Sequence, residues 1–192
     1  MSVLHELDPK GIAYENGERA EDLFAKICAS RGYTTIRTSQ EEDCLDHIDY
    51  WVKTKDLQGV IHEMSVDVKG LKHNGGERQN GDFTEDIWVE FKSKNHDGWL
   101  YGKADWVAFQ QPDNSFLMVF RKQLVDLMKK MRGNFGFTWD QSRARGNYYV
   151  RTQVKEKDGK YYPVVDILTL VDIDEIRELS KNWPLQMMEE KQ

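Results

Sequence analysis

Only two cysteines, Cys28 and Cys44, occur in the 192 residues, and they have neither a disulfide framework around them nor the paired spacing of a zinc site. That excludes a stapled secreted scaffold and points to a reducing cytoplasm. Apolar runs are also scarce. None approaches the roughly 20 residues of a membrane span, so no membrane partner is expected. The opening "MSVLHELDPKG" lacks the basic-then-apolar layout of a signal peptide. Repeats and low-complexity linkers are missing. Positive charge is in deficit, the net charge being −6, which is unusual for a simple nucleic-acid binder. It does not exclude an enzyme that gathers cations in carboxylate clusters and keeps a local basic face. What is present is an ordinary globular composition, 39% hydrophobic and 31% charged, of a length that suits one compact domain.

Hydrophobic periodicity divides the chain into elements. "GERAEDLFAKICASRG" reads as a helix with Ala20, Leu23, Phe24, Ile27 and Cys28 on one face and Gly32 at its end. "YTTIR", "HIDYWVK" and "VIHEMSVDVK" read as a strand meander, with "KDLQG" as the last turn. "GLKHNGGERQNGD" is a loop. "DIWVEFK", "ADWVAFQ" and "SFLMVF" follow as strands, and "RKQLVDLMKKMRG" as a second helix. "NYYVRTQVKEKDGKYYPVVDIL" reads as a hairpin turning at Asp158-Gly159, with Pro163 marking an edge strand. Asp172 can cap a last helix, with Glu175 at the matching position. The expected class is α/β or α+β: a mixed central sheet flanked by helices, with a C-terminal hairpin and helix. The boundaries expected are a single domain over 1–192, with a core over about 14–132 and an extension over about 133–192.

Within "HEMSVDVKG", alternation turns Met64, Val66 and Val68 to one face and Ser65, Asp67 and Lys69 to the other. On the preceding strand, His47, Asp49 and Trp51 share a face. If the two acid-bearing faces coincide, Asp49 and Asp67 approach each other. Two anions in a partly dry place repel unless a cation neutralises them, and carboxylate oxygens suit a hard cation such as magnesium. Lys69 on the same face could orient or deprotonate a water, or stabilise a developing anion. Glu21 lies almost in line with Phe24 and Cys28, at the border of the buried helix face. The competing reading makes Asp67 and Lys69 a surface ion pair of little energetic weight and Glu21 a solvated flank.

The order of a helix glutamate, a strand aspartate, then D-x-K resembles the PD-(D/E)xK nuclease superfamily, of restriction-endonuclease-like fold, over roughly residues 14 to 120. On that resemblance, Asp49 and Asp67 correspond to the two motif acids, Lys69 to the catalytic lysine and Glu21 to the helix glutamate. It implies that Asp49, Asp67 and the Val68 carbonyl, with Glu21, hold one or two magnesium ions, for which manganese can substitute. Lys69 would position the attacking water, and the product would be a cleaved phosphodiester. The implied activity is that of a DNA endonuclease from a phage or bacterium, acting in the cytoplasm, the host's if the chain is phage-encoded. Alternatives of the same fold are an RNA nuclease and a catalytically silent nucleic-acid-binding or assembly module. A homodimer would suit cutting of both strands. Ile48 stands where the motif's proline would be, and the helix with a glutamine that marks the recombination-exonuclease branch does not follow Lys69.

Further candidates carry two readings each. Lys72, Arg78 and Lys94 could contact phosphates, or simply belong to solvated loops. "RGNFGFTWDQSRARGN" mixes Arg132, Arg143 and Arg145 with Phe135, Phe137 and Trp139, which suits phosphate contact and base stacking; the same aromatics could be core. Asp46 stands behind the site or in a strand-entry turn. His47 and Glu90 could join the site or face solvent. His62, His73 and His96 read as surface, and Cys28 as core.

Overall fold

A computed structural model describes residues 12–56, 58–71, 86–157 and 159–180. The chain is mixed α and β, with two five-stranded sheets where one central sheet was expected. Two compact units contain them, one from residues 12–71 and 104–118, the other from 86–103 and 119–180.

The first unit begins with α1 (Ile12–Ser30), which buries Ala20, Phe24 and Cys28 four residues apart and leaves Leu23 and Ile27 half-buried beside them. Gly32, at φ 80°, ends it, and the Tyr33 N–H returns to the Cys28 carbonyl at 2.9 Å. After β1 (Thr34–Arg37) comes a helix the hydrophobic pattern did not suggest, α2 (Gln40–Asp46). It buries no residue, so periodicity had nothing to register. Its signal is the capping box: Ser39 Oγ accepts from the Glu42 N–H while the Glu42 carboxylate accepts from the Ser39 N–H. Asp46 is therefore a helix end and not a strand-entry turn. His47, in the left-handed region at φ 52°, caps that helix and does not share a strand face with Asp49.

Strands β2 (Tyr50–Lys55) and β3 (Ile61–Lys69) pair antiparallel, and β6 (Trp106–Gln110) joins β3 in parallel. With β7 (Phe116–Phe120) the order is β1-β2-β3-β6-β7, which makes β3 the central strand. Val66, Val107 and Val119 are fully buried, and each contributes roughly 1.5–3 kcal/mol. Phe24 packs edge-on to Phe116 at 5.3 Å between ring centres and tilts against Tyr50 at 6.1 Å. Where β3 ends, α1 passes so near that a Cβ on Gly70 would lie 3.0 Å from the Asn16 carbonyl oxygen and 3.1 Å from the Ala20 Cβ. Parallel pairing of β3 and β6 requires a crossover. Here that connection, residues 70–105, carries two strands of the other sheet.

Those strands are β4 (Asp86–Ser93) and β5 (His96–Asp97); β8 (Gly136–Thr138), β9 (Asn147–Lys157) and β10 (Lys160–Asp172) complete the order β5-β4-β10-β9-β8. The expected hairpin is present, with Gly159 at φ 72°. Pro163 lies in a strand paired on both sides, but only locally at an edge. It faces Val154 of β9, whereas the ladder to β4 begins at Ile167. Helix α3 (Arg121–Met131) buries Leu124 and Met128, and α4 (Ile173–Arg177) starts at Asp172, whose carboxylate accepts from the Asp174 N–H. Among the described residues no helix is long and apolar enough to cross a membrane.

Among the described glycines, Gly98 has the nearest main-chain neighbour. A Cβ there would fall 2.3 Å from the Glu90 carbonyl oxygen, a main-chain atom that cannot swing aside. Gly98→Ala is expected to destabilise the protein by about 1–3 kcal/mol, the cost of forcing the backbone apart. Urea denaturation would show it, and an unchanged midpoint would refute it.

Candidate active site

The turn between β2 and β3 decides which residues meet. The Asp56 carboxylate accepts from the N–H groups of Gln58 (3.0 Å) and Val60 (2.8 Å), and Gly59 takes φ 86°. A turn pinned in this way fixes the register, from Lys55↔Ile61 to Tyr50↔Val66. One step beyond the last pair, Asp49 falls beside Asp67.

There the ladder breaks. The Asp49 N–H donates to the Val66 carbonyl at 2.9 Å, one residue out of step. Thr38 holds the carbonyls of Ile48 and Asp49 through its hydroxyl, and its N–H also donates to the Asp49 carbonyl at 3.0 Å. The Val68 N–H donates instead to a side chain, Asp49 Oδ2, at 2.5 Å. A strand residue presents its N–H and C=O to the same neighbour, so the Val68 carbonyl is directed to the Asp49 side.

Asp49 is buried and Asp67 fully so. The Lys69 ammonium lies 2.5 Å from Asp67 Oδ1, with 22% of its side chain exposed. It thus joins the buried acids to solvent. Burial first, and the neighbouring Asp67 charge second, push the Asp49 carboxyl up to about 8; Lys69 and the Val68 N–H pull the other way. This is more than a surface ion pair on a strand. Two carboxylates share a dry place with one cation.

Glu21 is near enough for its charge to raise Asp49 further, but its carboxylate is engaged by the Arg37 guanidinium, which also reaches to 4.0 Å from Asp22. Burial raises the Glu21 pKa against the opposing pull of Arg37. Sequence reading missed Arg37 and Thr38. Arg37 acts on helix α1 and Thr38 on the entry to β2, over ten to sixteen positions, which no local pattern marks.

Asp49 and Asp67 are the residues that could hold a hard divalent cation. They offer carboxylate oxygens with a main-chain carbonyl beside them, and their mutual repulsion is what such a charge relieves. Among the described residues no three acid, histidine or cysteine side chains converge. Magnesium, which keeps several waters and takes substrate phosphate oxygens, is commonly held by one or two carboxylates.

Each remaining candidate has its own surroundings. Glu90, half-buried on β4, pairs with Leu168. Lys94 forms a tight turn at φ 47°, its N–H donating to Asp166. Arg145 is clamped by Asp86 and Asp172 through its guanidinium, a structural use of that cation. Arg143 extends into solvent, 3.6 Å from Asp140. His62 pairs with Asp56 and His96 is exposed on β5. Cys28 is core, its thiol pushed up by burial to about 11. Lys72, His73 and Arg78 lie outside the described residues. A scan against protein-family models and searches of curated proteins and of solved structures find no match for the chain.

Proposed function

We propose that this protein is a metal-dependent nuclease with a restriction-endonuclease-like core, acting on DNA as an endonuclease. The observation that carries the reading is the buried Asp49–Asp67 pair with the Lys69 ammonium on Asp67. The antiparallel meander β1-β2-β3, extended in parallel by β6, supports the fold assignment. Asp49, Asp67 and the Val68 carbonyl would hold a magnesium ion. Such an ion, when bound, supplies positive charge to phosphoryl oxygens and lowers the pKa of a bound water. Asp49 keeps its carboxylate oriented through the Val68 N–H. Lys69, anchored by Asp67 and partly exposed, holds a water or a phosphate oxygen over the acids. Arg37 holds Glu21 at the rim.

One observation favours a catalytically silent nucleic-acid-binding module instead. Asp67 and Glu21 already have cationic partners, Lys69 and Arg37, so the cluster is partly neutralised by the protein itself.

Supercoiled plasmid, linear duplex, single-stranded DNA, a branched junction and RNA, each incubated with magnesium or manganese and with EDTA, separate these readings. Metal-dependent cutting of DNA is expected, and the substrate consumed first names the specificity. Lys69→Arg keeps the charge but not the compact ammonium, and should slow cutting by about a hundredfold. Cutting at the wild-type rate by Lys69→Arg, or cutting that persists in EDTA, would sink the assignment.

A further inference from the structure

We propose that the outer edge of the second sheet, around Phe137 and Trp139, is a stacking platform for single-stranded nucleic acid. Three aromatic rings support that edge from within. Phe137 lies nearly parallel on Tyr148, its partner across the β8–β9 ladder, at 5.1 Å and 29°. Phe135 meets Tyr148 edge-on at 5.2 Å, and Tyr148 in turn meets the buried Phe91 edge-on at 5.2 Å. A continuous aromatic row therefore runs from the core to the edge. It ends in the open: Phe137 is 66% exposed and Trp139, just past the strand, 74%. Two large rings are left in water, Phe137 at the end of that row and Trp139 two residues on, and such a patch suits an occupant.

Charge selects the occupant. Exposed Arg132 stands beside the row, close enough to Tyr148 to oppose the upward push that burial gives its hydroxyl. Arg143, 78% exposed, follows Trp139 in the next turn, and Lys129 and Lys130 close the last turn of α3. The one acid among them, Asp140, caps that turn with one oxygen, accepting from the Ser142 N–H and hydroxyl, and its other oxygen lies 3.6 Å from the exposed Arg143 Nε. The chain as a whole carries −6, so this is a local reversal of sign. Flat exposed rings interleaved with guanidinium groups match the bases and phosphates of an unpaired strand, whose π-faces are accessible as those of a duplex are not. Edge-to-edge pairing with a second copy is disfavoured because β8 is only three residues long and includes a glycine. The platform goes beyond the proposed cleavage, since it would bind with or without turnover.

Anisotropy titrations in EDTA would use labelled oligothymidylate, oligouridylate and a duplex of equal length. The proteins compared would be the wild type, Phe137→Ala/Trp139→Ala and Arg132→Gln/Arg143→Gln, their folding checked by circular dichroism. The wild type should prefer single strands. The aromatic variant should lose about ten- to a hundredfold in affinity for them, and the arginine variant should bind more weakly with a shallower salt dependence. The thymidylate and uridylate arms distinguish DNA from RNA. Binding that is unchanged in both variants, or absent from the wild type, overturns the platform. So does a dimer in light scattering that the aromatic substitutions dissolve, which would make the patch a contact between copies. Strand binding without any metal-dependent cutting leaves the platform standing and removes only the nuclease assignment.

Discussion

Asp67→Asn is expected to abolish metal-dependent cleavage, by about a thousandfold or more, because a bound cation contributes several kcal/mol to the transition state. The same substitution should leave stability in EDTA unchanged or slightly raised. Asn keeps the shape of the side chain and removes an anion that repels Asp49 in a buried place. It does not strand Lys69, which is partly exposed and still attracts Asp49. The contrasting variant is Lys69→Met. Removing the cation leaves Asp49 and Asp67 buried together without it, and breaking a buried pair from one side costs about 3–5 kcal/mol. Denaturation and cleavage measured on the same preparations distinguish a catalytic Asp67 from a structural one. If Asp67→Asn unfolds as readily as Lys69→Met while the wild type shows no cleavage, the acids and lysine are a folding device.

In EDTA, stability should fall as pH rises between about 4 and 8, with a slope of up to about 1.4 kcal/mol per pH unit. The Asp49 carboxyl, raised to about 8 by burial and then by Asp67, keeps its proton in the folded chain over that range. The unfolded chain releases it near pH 4. The folded state therefore binds more protons, and each rise in pH favours unfolding. Below the unfolded pKa both states are protonated, and above the folded pKa both are ionised, so the profile flattens at each end. Urea titrations across the range would measure the slope. Asp49→Asn should remove it, and Asp67→Asn should end it at a lower pH by removing the second cause of the raised pKa. Magnesium should stabilise the wild type more at pH 8 than at pH 6, because a cation favours the ionised pair. A wild-type slope that Asn at position 49 leaves untouched would place the titration in another group.

The sequence by itself determined the elements whose residues face a core. The Ala20–Phe24–Cys28 stripe, the alternation of "SVDVK" and the Asp56–Gly59 turn are local patterns, and each appears where the pattern places it. The approach of Asp49 to Asp67 was legible only in part: a short turn and a period of two leave few registers, but the ladder ends at Tyr50↔Val66, and Thr38 and the Val68 N–H place Asp49 beyond it. Helix α2 was visible only through its cap, since a helix that buries nothing has no hydrophobic period to read.

Tertiary structure decided the rest. Alternation says which face Asp67 takes but not how deep it lies. β6 pairs along the other side of β3 from forty residues away and makes that strand central, and Asp67 lies fully buried on it. The upward shift of Asp49 follows from its own burial first and from the Asp67 charge second. Not every cation of the arginine-rich run stays free: Arg145 is spent on Asp86 and Asp172, and Arg151, just past it, on Asp166. Lys129, Lys130, Arg132 and Arg143 remain outward, with Lys129 3.9 Å from Asp126 and Arg143 3.6 Å from Asp140. Local sequence sets which groups a segment carries and the period at which it presents them. Only long-range pairing determines which of those groups lose water and which find a partner of opposite charge, and reactivity depends on both.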